Sequence, residues 1–245
     1  KLEEFEKKFS EYNDTKYGLG VGNCTDAICI ALRACGIGVG DEVITVSNTA
    51  VPTVTAVVNS GADVKFVDIN EYSLIDVDKI EQAITKKTKA IIPVHLFGQV
   101  CEMNRIMEIA KKHSLKVIED CAQAHGATYF EKKAGSIGDV GCFSFYPTKI
   151  FGAYGDGGFI TTNNQKLYDK MHRIRFLGME KKKMSSGHWN GKYYAIEHGT
   201  NSRLDEVHAA ILLKKLKYLD SWIDRRRSIA DKYNKELKNL NIELP

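Results

Sequence analysis

The feature that most constrains this chain is the regular exchange between two hydrophobic periods. Short apolar runs of strand length alternate with segments in which apolar residues recur every three or four positions, and glycine or a charged turn marks each change. The pattern predicts strands over 42–46, 64–67, 90–94 and 116–118, and helices over 25–35, 52–59, 76–84 and 103–113. Parallel strands need a long crossover, usually a helix, so strand and helix in turn predict an α/β protein with a mostly parallel central sheet. Two more strands are expected over 140–145 and 158–161, then helices over 165–176 and 204–237. At the start, Leu2, Phe5, Phe9 and Tyr12 share one helix face, and Gly18-Leu19-Gly20 is read as a turn.

Composition narrows the classes. With 245 residues, 43% hydrophobic, the chain can bury one substantial core. One large domain is expected over 1–237 with its N-terminal segment incomplete, and 238–245 reads as the start of a truncated C-terminal small domain. The 35 basic and 31 acidic residues are dispersed, which leaves no concentrated field to gather nucleic acid or an anionic membrane. Lys181-Lys182-Lys183 and Arg225-Arg226-Arg227 therefore read as solvated surface. The six cysteines form no CxxC pair and predict reduced, buried thiols. Without a leader or a membrane-length apolar run, a cytoplasmic location is expected. The irregular stretch 178–201, with His188, Trp189, Tyr193, Tyr194 and His198, is too long for an ordinary connection and reads as functional or disordered. His95, His125 and His208 lack ligand spacing, so no metal is expected. The stripe of Leu212, Leu213, Leu216, Leu219 and Ile223, with Trp222, reads as helix packing, with a dimer seam as its further reading.

Open parallel sheets bind ligands beyond the carboxyl ends of their strands, and Asp120 stands at such an end. Alone, it reads first as a structural helix cap and second as a metal ligand. Lys149 changes that balance, because it lies between the apolar strand Gly141-Cys142-Phe143-Ser144-Phe145 and the glycine-rich turn Gly155-Asp156-Gly157-Gly158, a poor place for a solvated tether. Pyridoxal 5'-phosphate needs a lysine amine for its Schiff base, an acid at its pyridine nitrogen and donors for its phosphate. A phosphate seat is available at Gly22-Asn23-Cys24-Thr25-Asp26-Ala27, where a turn opens a helix with free N–H groups, although Thr25 could be a plain cap.

Three segments make a resemblance specific: Glu119-Asp120-Cys121-Ala122-Gln123-Ala124-His125-Gly126; Phe143-Ser144-Phe145-Tyr146-Pro147-Thr148-Lys149 with its glycine turn; and Gly199-Thr200-Asn201-Ser202-Arg203-Leu204-Asp205-Glu206. Together they resemble the DegT/DnrJ/EryC1/StrS family of nucleotide-sugar aminotransferases over nearly the whole chain. The resemblance implies a three-layer, fold-type I aminotransferase large domain with seven strands, working as a homodimer with active sites at the subunit interface. It implies that Lys149 carries the pyridoxal phosphate and moves the proton, that Asp120 pairs with the ring nitrogen, and that Gln123 lies near the ring hydroxyl. Ser144 and the amides of Thr25 and Asp26 are implied to hold the phosphate, joined by Asn201 of the partner subunit. The implied reaction moves an amino group from L-glutamate to a nucleotide-linked keto-deoxysugar. The flanks of Lys149, with Gly178-Met179-Glu180 and Tyr193-Tyr194, resemble members that act at C3 rather than C4. Ala50 departs from the pattern, since several relatives place an aromatic ring there over the cofactor.

Three rivals remain open at this stage. Some relatives are pyridoxal phosphate-dependent sugar dehydratases with histidine in place of the lysine, and Lys149 argues against that. The runs Gly18-x-Gly20-x-Gly22 and Gly36-x-Gly38-x-Gly40 are not the GxGxxG of a nicotinamide dehydrogenase. A non-catalytic regulatory protein that binds the cofactor is the third.

Overall fold

The computed structural model describes residues 1–179, 195–240 and 242. Glu180, the lysine triplet, His188, Trp189, Tyr193 and Tyr194 lie outside the described residues. The chain runs α1 (Leu2–Tyr12), β1 (Tyr17–Val21), α2 (Cys24–Ala34), β2 (Glu42–Val46), α3 (Val51–Ser60), β3 (Asp63–Val67), α4 (Val77–Ala83) and β4 (Thr88–Ile91). It continues through α5 (Met103–His113), β5 (Lys116–Asp120), a small ladder of β6 (Thr128–Tyr129) and β7 (Lys132–Lys133), β8 (Val140–Ser144), β9 (Gly158–Thr162), α6 (Gln165–Ile174), α7 (Glu206–Leu216) and α8 (Leu219–Leu237). Seven strands form one sheet in the order β1-β9-β8-β5-β4-β2-β3. The pairs from β8 to β3 are parallel, and β9 runs against both β8 and β1. The expected mostly parallel α/β sheet is therefore the observed one.

Side chains on a strand alternate between faces, and here the alternation sorts residues into separate cores. On one face, Leu19, Val43, Ala90, Ile92, Ile118, Val140, Cys142 and Ile160 pack with α2 and α6. The intervening Ile44, Ile91 and Val117 pack with α4 and α5, and Phe143 and Phe159 pack with α1, α7 and α8. Helices thus cover both faces in three layers, which is why β8 and β9 are buried along their whole length.

Two expectations need correction. Gly18-Leu19-Gly20 is not a turn but the core of edge strand β1, paired with β9. Its glycines answer a packing need: a Cβ at Gly18 would stand 2.1 Å from Ser10 Oγ and 2.4 Å from the Phe159 ring. The single helix read over 204–237 is two, broken at Lys217 and Tyr218. The break lets Leu212 on one helix and Leu219 and Ile223 on the other reach the same core, so these residues of the stripe pack inside the chain. Strand β5 ends in Glu119 and Asp120, as expected. No helix among the described residues is long and apolar enough to cross a membrane.

Candidate active site

The loop that carries Lys149 is fixed from below by aromatic packing. Phe145 and Phe151, on either side of the lysine, are fully buried with Phe5, Phe9, Phe143 and Phe159, and Phe9 lies 5.0 to 5.4 Å from the Phe143, Phe145, Phe151 and Phe159 ring centroids. Burying each such ring contributes about 1.5–3 kcal/mol, with a further gain for edge-to-face pairs. Backbone bonds from Phe145 to Gly157 (2.8 Å) and from Ala153 to Phe145 (2.7 Å) close the loop, and the Lys149 N–H donates to the Tyr146 carbonyl at 2.9 Å. A flexible side chain thereby starts from a rigid base.

Lys149 faces a cavity of about 300 Å³ that it lines together with Asp120, Thr25 and Ser144, a size suited to a small cofactor. These residues meet because β1, β5 and β8 point the same way and end at one edge of the sheet. Gly158 pairs with Val21 on one side and Ser144 on the other. A Cβ there would come within 2.4 Å of the Asn23 carbonyl carbon, so glycine lets the start of α2 settle beside the cavity.

Asp120 is 5% exposed. Its Oδ2 accepts the Thr53 hydroxyl at 2.7 Å and its Oδ1 accepts the Ala122 N–H at 3.1 Å, and no cation partners it among the described residues. A buried carboxylate without a cation is costly, and a protonated ring nitrogen in the cavity is the kind of group that relieves it. The residues present therefore fit pyridoxal phosphate. Thr53 escaped the sequence reading, although a threonine on the buried Thr53-Ala56-Val57 face of α3 was the available signal. Thr49 backs it through a 2.7 Å hydroxyl pair.

At the phosphate end the structure corrects two details. The helix cap is Asn23, not Thr25, and its Oδ1 takes the Asp26 N–H at 2.8 Å. That cap takes up the Asp26 amide expected at the phosphate, and Asp26 does not line the cavity; its carboxylate accepts the Ser202 hydroxyl at 2.6 Å. The helix-end donors left beside the cavity are the N–H groups of Cys24 and Thr25, with the Ser144 hydroxyl as a third. Gln123 lines a neighbouring hollow of about 580 Å³, and Lys149 stands on the wall common to both. Asn201 is exposed and bridged to Phe176, and it does not line its own chain's cavity. Ala50 lines the cavity, and Tyr146 is an aromatic residue that lines it too. A larger concavity, about 880 Å³ beside α1 and α6, contains none of these residues.

His95, Glu119 and Cys121 bring their donor atoms within 4.8 Å of one another, a grouping the sequence spacing did not reveal. It is a hydrogen-bonded cluster rather than an open ligand set. Glu119 already accepts three backbone N–H groups and His95 Nε2, while burial pushes the Cys121 thiol well above its ordinary range. All six cysteines are unpaired in disulfides, with Cys29 and Cys35 only half-buried.

His125 is 3% exposed, and neither ring nitrogen has a hydrogen-bond partner. Burial, and then the charge of Lys149, pushes its pKa down to about 3, with the Ser144 backbone pulling only weakly the other way. The unfolded chain takes up this proton near 6.5, so between pH 6.5 and about 3 the unfolded state binds more protons. Stability should therefore fall as pH drops through that window, by up to about 1.4 kcal/mol per pH unit. Replacing His125 with phenylalanine, which suits its neighbours Phe9 and Phe143, should flatten this part of a curve of melting temperature against pH. An unchanged slope would assign the acid sensitivity elsewhere.

Comparison with known proteins agrees with this geometry. The sequence model of the DegT/DnrJ/EryC1/StrS aminotransferase family matches residues 1–245. The dTDP-3-amino-3,6-dideoxy-alpha-D-galactopyranose transaminase of Aneurinibacillus thermoaerophilus is 50% identical over 246 residues, covering 100% of this chain and 65% of that protein. The dTDP-3-amino-3,4,6-trideoxy-alpha-D-glucose transaminase of Micromonospora megalomicea subsp. nigra is 45% identical over 250 residues, covering 100% of this chain and 64% of that protein. Among solved structures, NtdA of Bacillus subtilis with bound cofactor PMP superposes with a TM-score of 0.88 at 40% identity, covering 98% of this chain and 54% of that one. The chain spans just under two thirds of the length of these two curated relatives. With its three-layer, seven-stranded aminotransferase architecture, the chain belongs to the DegT/DnrJ/EryC1/StrS aminotransferase family.

Proposed function

We propose that the complete protein is a pyridoxal 5'-phosphate-dependent aminotransferase that moves the amino group of L-glutamate to C3 of a nucleotide-linked keto-deoxysugar. The observation that carries this reading is the meeting of Lys149, Asp120, Thr25 and Ser144 on one cavity. When bound, the cofactor supplies an electron sink that lets the carbon bearing the amine lose a proton. The Lys149 amine first holds the cofactor and, once released, takes that proton at Nζ and returns it one carbon away. Asp120 keeps a proton on the ring nitrogen through its buried carboxylate, which Thr53 orients. The Cys24 and Thr25 amides, the Ser144 hydroxyl and the positive end of α2 bind the phosphate. The aromatic floor beneath the loop holds the lysine's backbone in place.

The choice of C3 is supported by the names of the two transaminase relatives and by the flanks of Lys149. A homodimer is supported by Asn201, which is exposed and does not line its own chain's cavity, so that it is free to serve a second copy. The test is to incubate the complete protein with glutamate and a panel of 3-keto and 4-keto nucleotide sugars, and to locate the new amine by NMR. Ping-pong kinetics, release of 2-oxoglutarate and an amine at C3 are expected. Absence of 2-oxoglutarate would overturn transamination, and an amine at C4 would overturn the position. For the shared site, mixing inactive Lys149→Ala and Asn201→Ala proteins should restore part of the activity, since each mixed dimer regains one complete site.

A further inference from the structure

We propose that Glu119, His95 and Phe97 form a positioning unit that presents the Gln123 side chain with its NH2 group turned toward the Lys149 hollow. The first observation is the orientation of the amide. The Phe97 N–H lies 2.7 Å from Gln123 Oε1, and a backbone N–H can only donate, so the oxygen is committed to it and the NH2 group is the end left to meet a ligand. Gln123 thus offers a donor, which suits an anionic ring oxygen and would repel a second donor.

The second observation is what the orientation rests on. Phe97 has φ 58° and ψ 10°, a left-handed conformation unusual for a bulky residue, and it is 80% exposed, so packing of its own ring does not hold it there. His95, two residues earlier, holds it. The His95 N–H donates to the Asp120 carbonyl at 3.0 Å, and its Nδ1 accepts the Cys101 N–H at 3.2 Å, closing the turn on both sides of Phe97. Because Nδ1 faces the Cys101 N–H as an acceptor, the ring proton is placed on Nε2 and donated to Glu119 Oε2 at 3.0 Å. Glu119 also accepts the N–H groups of Gly135 (2.9 Å), Ile137 (2.8 Å) and Gly138 (2.7 Å). Both side chains are fully buried. Glu119 and Asp120 are neighbours on β5 and point to opposite faces, so one strand end carries the acid on one face and the anchor of the Gln123 turn on the other.

The inference rests on the proposed cofactor for its consequence, whereas the orientation of Gln123 does not. The experiment uses the complete protein and two readouts besides activity: hydrogen exchange at the Phe97 amide without cofactor, and the pH midpoint of the absorbance band with cofactor bound. His95→Phe should speed Phe97 exchange and weaken cofactor binding, each by about tenfold, the worth of one hydrogen bond. The band midpoint should move upward, since a ring oxygen that loses a donor holds the neighbouring proton more tightly. His95→Gln, which keeps a donor toward Glu119, should stay within about threefold of the parent on both counts. If His95→Phe lowers the melting temperature but leaves Phe97 exchange and the band midpoint unchanged, the cluster is only scaffold and the proposal is overturned. Should that variant not fold, Gln123→Glu decides: it keeps an acceptor for Phe97 but replaces the outward donor with an oxygen, and unaltered cofactor affinity would sink the idea. A parent protein that binds no cofactor would defeat the proposed function instead, and the exchange data would still judge the positioning unit.

Discussion

Replacing Lys149 with alanine in the complete protein should reduce amino transfer by about four orders of magnitude, while the melting temperature stays within about 2 °C of the parent. The two halves of this expectation have different origins. The chemical loss is large because one amine both attaches the cofactor and carries the proton, so no neighbouring group inherits either task. The stability effect is small because Lys149 is half-buried and forms no ion pair among the described residues, and the loop is held by Phe145, Phe151 and backbone bonds. Single-turnover release of 2-oxoglutarate, measured beside a thermal melt, checks both. A variant that keeps a tenth of the activity would remove Lys149 from the chemistry.

Asp120→Asn should lower kcat/KM by about three orders of magnitude, equivalent to about 4 kcal/mol of lost transition-state stabilisation. The substitution preserves size and leaves an oxygen to accept either the Thr53 hydroxyl or the Ala122 N–H, but it removes the negative charge that keeps a ring nitrogen protonated. Stability should respond differently with and without cofactor. In the cofactor-free protein the change removes a buried carboxylate that has no cation, so the variant should melt at or above the parent temperature. Added cofactor should then raise the melting temperature by less than it does in the parent, because ligand stabilisation follows affinity. Equal cofactor-induced shifts in the two proteins would show that Asp120 does not meet the ring.

Most of the architecture is legible in the sequence because its signal is local. The runs at β2 and α5 were found to the residue, since each has a clean period and a sharp boundary. Edge strand β1 was missed because two glycines in five residues imitate a turn, and only the approach of Ser10 and Phe159 explains why side chains are excluded there. The break between α7 and α8 was missed for a related reason: helical spacing continues through it, and a shared core on α1 selects the kink. In the site, Lys149 and Asp120 were legible because a charged residue at the end of an apolar strand stands out. Thr53 and Asn23 were not, because their roles are hydrogen bonds to Asp120 and Asp26, one of them 67 residues away.

By itself the amino-acid sequence determined the alternation of strand and helix, the family and the residue types available for chemistry, because hydrophobic period and local motifs act over a few neighbours. Only the tertiary structure decided which of those residues share a cavity. The ends of β1, β5 and β8 converge at one edge because β9 is reversed between two strands that run the same way. That reversal, with the close approach at Gly158, brings α2 beside Lys149 and Asp120, and it turns Asp26 away toward Ser202. Pairing order and backbone contact are long-range outcomes of packing, and no short window of sequence contains them.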